Sequence, residues 1–374
     1  MLGKEDSMSR YYFRDVQQSE EQIAKITWEE LFDINIHNMR KSLFKYFPNT
    51  IKEIGGEKRN FSLEALKNNT VYLSSPKDFD DPYDSNIYID SNEFALQRIR
   101  YYAELCGVLV ENEWDYETVS LKLAQKIFNH GSAGKSLDDF HVNRTDSEII
   151  RLHHEKFFLI LKNELSSTMA NGDSYYIAFN KAINDEYEEI QKMANRFRIS
   201  CFAETPYSML MWSHYANNHQ GFCVEYETPE YSSKSVEIYH NLFPVIYTDK
   251  RIDLTTISLN WRSTGKLSNE ELWEFYKYGL LCKSLDWKYQ QEWRLISYDN
   301  LLTDNQYNCK FFKIKKVYLG NKMQSEDRKN IIGICKSNGI PYVGMVISHD
   351  KYEIKECDKL CENCKKIELI GVNG

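Results

Sequence analysis

The feature that most constrains the fold is a change of hydrophobic period part-way along the chain. Before about residue 90 and after about residue 196, apolar residues come in short strand-like runs punctuated by turn residues. Between Ser91 and Phe197 they recur at helical spacing: Phe94, Leu96, Ile99 and Tyr102; Leu121, Leu123 and Ile127; Ile149, Leu152, Phe157, Phe158 and Leu161. A strand pattern interrupted by about a hundred residues of helix and then resumed predicts an α+β fold with a mixed, mainly antiparallel core sheet and a large helical insertion. The expected division is an N-terminal helical extension (1–40), a core built from 41–90 and 196–350, the insertion (91–195) and a cysteine-containing tail (351–374).

Within the core the predicted strands are Leu43 to Phe47, Thr70 to Ser74, Arg198 to Phe202, Gly221 to Tyr226, Phe243 to Tyr247, Glu292 to Ser297, Phe311 to Leu319 and Tyr342 to Ile347. Helices are expected from Ser19 to Asn35, from Ser62 (as N-cap) to Lys67, and over Tyr207–Ala216, Ser268–Lys283 and Ser325–Ser337. Asn129 to Asp146 has the composition of a loop. With 374 residues, 26 Tyr and only 7 Pro, the chain has ample material for a packed core. Its net charge of −8 argues against a dominant nonspecific attraction to nucleic acid or anionic membrane. Met1 to Arg14 is polar and no apolar run is long enough to span a bilayer, so a cytoplasmic protein is expected.

Chemistry concentrates in a few places. Gln290, Glu292 and Arg294 alternate with Trp293 and Leu295; read as one strand, the three polar side chains share a face. The plain structural reading is a sheet ion pair. Ser74-Ser75-Pro76 closes a strand and leads into a loop carrying Asp78, Asp80, Asp81 and Asp84. Serines there suit a ribose or phosphate, and the carboxylates, with Glu204, suit a divalent cation in a metal-dependent nuclease. Alternatively, Asp and Pro simply shape turns. His214, on the 207–216 helix, suits acid–base chemistry or phosphate binding, or else packs as a structural histidine. Cys357, Cys361 and Cys364 fall within eight residues, a spacing compatible with a structural zinc half-site or with an exposed tail.

Several motifs taken in order resemble a bacterial family, domain of unknown function 2971. They are Lys45-Tyr46, Tyr72 through Pro76 and on to Phe79 through Asp84, Ser200-Cys201-Phe202, Met211 through Ala216, Gly221 through Tyr226, and Glu292-Trp293-Arg294. The likeness covers roughly residues 40–90 and 196–350. A more distant resemblance is to ADP-ribosyltransferases, in which a basic or His residue on the first core strand, a Ser-rich strand end and a late Gln-x-Glu occur in that order. Here those positions are Lys45, Ser74-Ser75 and Gln290-Gln291-Glu292.

This second resemblance implies NAD as substrate. Glu292 would stabilise the cationic ribose and hold one of its hydroxyls, and Gln290 would orient the acceptor. Tyr46 or Tyr72 would stack on nicotinamide, Arg198 or His214 would contact phosphate, and Arg294 would keep Glu292 ionised. The implied acceptor is a protein or nucleic acid. A toxin or anti-phage role with a neutralising partner protein, and no membrane partner, would suit such an activity. The reading from another class is a non-catalytic binding module in which the same residues are structural.

Overall fold

A computed structural model describes residues 11–13, 16–37, 39–133, 140, 147–166, 172–298 and 307–357. The fold is mixed α and β, with a large, mainly antiparallel eight-stranded sheet and many helices. The chain divides into two compact units. The sheet unit comprises residues 1–84, 195–250 and 281–374; the helical unit comprises 85–194 and 251–280. Residues 251–280, expected in the core, therefore lie in the helical unit.

The sheet is built from β1 (Ser42–Phe47), β2 (Phe197–Ala203), β3 (Phe222–Glu227), β4 (Leu242–Pro244), β5 (Glu292–Tyr298), β6 (Ile314–Leu319), β7 (Tyr342–Ile347) and β8 (Ile354–Glu356). Their spatial order is β8-β7-β6-β3-β1-β2-β5-β4. Neighbours run antiparallel except β6 and β7, which are parallel. The helix Ser325–Ser337 lies between β6 and β7 in the chain and supplies the crossover that a parallel pair needs.

One join in the sheet is thin. β1 pairs with β3 along six residues but meets β2 only where Phe44 faces Ala203. The two strands splay, and Lys45 reaches across to donate to Ser200 Oγ (2.9 Å) and to the Cys201 carbonyl (3.0 Å). On one side the sheet packs Leu43, Phe202, Val224, Trp293, Leu295 and Val317 into a common core. Phe44, Tyr46, Met211, Trp212, Cys223 and Tyr318 form a second cluster. Gly221 sits where a Cβ would lie 2.0 Å from the Phe47 carbonyl oxygen, so no larger residue fits that approach to the end of β1.

Local chemistry explains the departures from periodicity. The expected single helix from Ser19 to Asn35 is two, Glu20–Lys25 and Trp28–His37. Thr27 and Glu30 exchange side-chain-to-backbone bonds (3.2 and 3.0 Å), a capping box that restarts the helix. Asn60, not Ser62, caps Phe61–Asn68, accepting from the Leu63 N–H at 3.1 Å. The helix expected through Lys283 ends at Tyr276, continues as a wider turn over Lys277–Leu281, and gives way to a strand, Cys282–Ser284. That short strand runs parallel to Ile246–Thr248, placing Lys283 opposite Tyr247.

The helical unit has Ser91–Leu105, Tyr116–Ser132, Glu148–Ser166 and Gly172–Gln191, with Thr255–Thr264 and Asn269–Tyr276 from the second excursion. Phe94, Ile99, Tyr102, Leu123, Ile127, Phe157, Phe158 and Leu161, picked out by their period, are buried; Leu121, Ile149 and Leu152 are exposed. The segment read as a loop from Asn129 begins inside a helix that runs to Ser132. Among the described residues no helix is long and apolar enough to cross a membrane.

Candidate functional site

The splay between β1 and β2 opens a cavity of about 230 Å³ within the sheet unit. Its walls are Phe44, Lys45 and Tyr46 from β1, Ile199 and Cys201–Ala203 from β2, and Met211 and Tyr215 from the helix Met209–Tyr215. Ser74, Asp78–Asp81 and Asp84 close one side; Lys283, Gln290 and Glu292 close another. Ser74 is held there by two backbone bonds with Ile199, both 2.8 Å.

Glu292 opens β5, with its backbone N–H donating to the Tyr247 hydroxyl at 2.8 Å. Its carboxylate is engaged on both oxygens: Arg294 Nε donates to Oε1 at 2.7 Å and Lys283 Nζ to Oε2 at 2.8 Å. Asp84 bridges the same two cations. It accepts from Arg294 on both oxygens at 2.7 Å and pairs with Lys283 at 2.9 Å. The result is a closed ring of alternating charge, Glu292–Arg294–Asp84–Lys283, whose side chains are all less than a tenth exposed.

Burial alone would push the Glu292 carboxyl up; the Arg294 and Lys283 charges outweigh it and hold the group well below the usual carboxylate range. For Lys283, burial would lower the ammonium, but Glu292 and Asp84 outweigh burial and raise it. Lys45 is different. Burial lowers its ammonium below the ordinary lysine value, only partly countered by nearby groups including Glu292. Cys201 lines the cavity too, but burial and the Glu292 charge push its thiol up, which leaves it a poor nucleophile.

Gln290 does not share a strand with Glu292, as its alternation suggested. Residues Leu285–Gln290 form a 3₁₀ turn, and Gln291 has a left-handed backbone (φ 45°) before β5 begins. The reversal at Gln291 still brings the Gln290 amide to the cavity. Lys283 donates to its Oε1 (2.9 Å), and its Nε2 donates to the Tyr215 hydroxyl (2.6 Å). Glu292 and Arg294 keep the expected common face, with Trp293 and Leu295 in the core on the other.

Of the residues singled out from sequence, Lys45, Tyr46, Ser74, Gln290 and Glu292 line one cavity. Arg294 stands behind Glu292, fully buried. The rest lie elsewhere. Tyr72 is half exposed on a short strand pairing with Asn308. Arg198 donates to the Asn195 and Phe197 carbonyls and lies over the Tyr307 ring. His214 is exposed beside Trp287 and Tyr289. Ser75 is buried at the start of the Pro76–Asp78 turn. Tyr46 turns its hydroxyl to the Thr205 carbonyl (2.9 Å) and packs against Trp212, so it presents little face for stacking.

The carboxylates proposed for a metal are dispersed in role. Asp84 is committed to Arg294 and Lys283, while Glu204 pairs with Arg40 and accepts from the Trp293 indole. Among the described residues no group of three or more His, Cys, Asp or Glu is placed to hold a metal ion. Cys357 donates its backbone N–H to the Gly344 carbonyl; Cys361 and Cys364 lie outside the described residues.

Lys283, Tyr215 and Tyr247 are site residues the sequence reading missed. Their one signal was a lysine directly after the apolar run Gly279–Cys282.

Residues 211–295 match the family described as a protein of unknown function, DUF2971. The match supports that family. The matched DUF2971 stretch contains Tyr215, Lys283, Gln290, Glu292 and Arg294, and leaves Lys45, Ser74 and Asp84 outside. No curated protein and no solved structure matches the chain.

Proposed function

We propose that the cavity is the active site of an ADP-ribosyltransferase-like enzyme that cleaves NAD and transfers ADP-ribose to a macromolecule. The observation that carries this reading is convergence. Lys45, Ser74 and the pair Gln290 and Glu292 come from three separate stretches of sequence and line a single cavity. They occupy the first-strand, serine and late Gln-x-Glu positions of the transferase pattern. At about 230 Å³ the cavity is smaller than pockets that enclose a whole drug-sized ligand, typically ~300–1,000 Å³, which favours the nicotinamide–ribose end of NAD as its occupant.

In such a reaction the bond between ribose C1′ and the pyridinium nitrogen breaks, and its electron pair leaves with nicotinamide. Positive charge develops at C1′ until an acceptor nucleophile bonds there and loses its proton. A carboxylate has about four acceptor positions, so Glu292, with one bond on each oxygen, keeps capacity for a ribose hydroxyl. Lys283 and Arg294 keep it ionised throughout, and a fixed negative charge is what the developing cation requires.

The same ring favours a second reading, a binding module in which Glu292 is structural, because both its oxygens already face cations. Incubation with labelled NAD and total cellular protein or nucleic acid separates the two. Nicotinamide release that disappears in Glu292→Gln and persists with a chelator supports the transferase. Absence of turnover with every acceptor, or full turnover in Glu292→Gln, removes it.

A further inference from the structure

The acidic loop contributes two carboxylates of opposite character. Asp84 has both oxygens taken by Arg294 and Lys283. Asp81 lines the same cavity and is nine-tenths buried, yet only its Oδ1 is used, accepting from the Tyr83 N–H at 2.9 Å. Its Oδ2 is buried and has no hydrogen-bond partner among the described residues. Three backbone bonds close the loop on itself: Asp78 N–H bonds the Ser75 carbonyl, Phe79 N–H that of Pro76, and Asp84 N–H that of Asp81. None of these bonds uses Oδ2. A buried acceptor left unpaired is costly, and native structures retain few of them.

Resting on the reading above, we infer that Asp81 is a specificity-determining residue that accepts a hydrogen bond from the carboxamide N–H of the nicotinamide group. The substrate class this defines is an N-ribosyl pyridinium bearing an uncharged donor. A carboxylate in place of the carboxamide has no N–H to offer and faces the Asp81 oxygens as a like charge. Asp81 acts on the choice of leaving group, and Glu292 on the bond that breaks.

The test is equilibrium binding of nicotinamide and of nicotinate to the purified full chain, by ligand-observed NMR titration. Wild type, Asp81→Ala and Asp81→Asn are compared, with circular dichroism and melting to show that each is folded. The expected result is binding of nicotinamide but not nicotinate by wild type. Asp81→Ala should lose about ten-fold or more in nicotinamide affinity. Asp81→Asn, which keeps the shape but adds a donor, should narrow the preference between the two ligands.

Equal binding of both ligands by wild type, or undiminished nicotinamide binding by folded Asp81→Ala, overturns the inference, as does no nicotinamide binding by wild type. NAD cleavage with Asp81-independent binding would sink this assignment and leave the transferase standing. Asp81-dependent nicotinamide binding without NAD turnover would do the reverse.

Discussion

Two buried charge clusters, one in each unit, invite comparison because the same residue types are put to different ends. In the helical unit Arg98 donates to Glu186 at 2.7 Å and to the Tyr102 hydroxyl at 3.2 Å, and Tyr102 in turn donates to Glu186. Arg262 lies 3.4 Å from Glu186 and donates to Glu189 at 2.8 Å. Aromatic rings flank its Arg98–Tyr102 side, while Glu189 at the other edge is partly exposed. Tyr102 stacks on Phe157 with centroids 3.5 Å apart, and the Arg98 guanidinium lies over Tyr101 and Tyr102. In the sheet unit Glu292, Arg294, Asp84 and Lys283 close a ring that is buried throughout, but Glu292, Asp84 and Lys283 also line a cavity. Pairing of buried charges therefore does not by itself mark a site. What distinguishes the second cluster is that one of its faces lines a cavity.

Breaking the comparison begins where the effect is largest. Glu186→Ala strands the buried Arg98 guanidinium and leaves Arg262 with Glu189 alone, and removing one partner of a buried pair costs roughly 3–5 kcal/mol. Chemical denaturation should show that loss; a change under ~1 kcal/mol would mean the helical cluster is not the structural element described. Glu292→Gln should lower stability less, since the amide oxygen still accepts from one cation, while reducing NAD turnover by about 100-fold or more. If instead stability falls and turnover holds, both clusters are structural.

Asp84→Asn touches no atom of the reaction but loosens Lys283 and Arg294. It should lower kcat with little change in KM and shift the acid limb of the pH–rate profile downward, because a like charge is removed and both cations are left to Glu292. An unchanged profile would confine Asp84 to stability.

pH sharpens the contrast on a smaller scale. Glu292 and Glu186 both have folded-state values below the ordinary carboxylate value, each because neighbouring guanidinium or ammonium charges outweigh burial. Such groups bind more protons when unfolded. Their stabilisation is complete above the unfolded value, about 4.3, and is lost as pH falls below it toward the depressed folded values. Acid titration of stability should show this slope in wild type and a shallower one in Glu292→Gln. The smallest effect belongs to the exposed pair Arg59–Glu64, where Glu64→Gln should leave the melting temperature within error.

Much of the scaffold was legible in the residues. Ser325–Ser337 and Tyr342–Ile347 have the bounds their patterns indicate, and Trp293 and Leu295 face the core as strand alternation requires. Signals that act within a few residues survive because periodicity and capping are local. Polar–apolar alternation groups Gln290 with Glu292 on one strand face, but Gln290 ends the 3₁₀ turn Leu285–Gln290, and alternation does not reveal a left-handed residue such as Gln291. The nucleotide-contact roles given to Tyr72, Arg198 and His214 rested on order along the chain, and order carries no information about which face of the sheet a residue meets.

The sequence by itself determined the mixed α and β composition, the long helical excursion, and the pairing of Glu292 with Arg294, since all depend on neighbours in the chain. Tertiary structure decided the rest. Asp84 reaches Arg294 across 210 residues, Lys45 meets Ser200 across 155, and Gln290 meets Tyr215 across 75. A buried charge is tolerated where an opposite charge is brought to it, and that partner is chosen by strand order, by the splay of β1 from β2, and by the reversal at Gln291. No local pattern encodes those three, and together they turn a structural ion pair into the wall of a cavity.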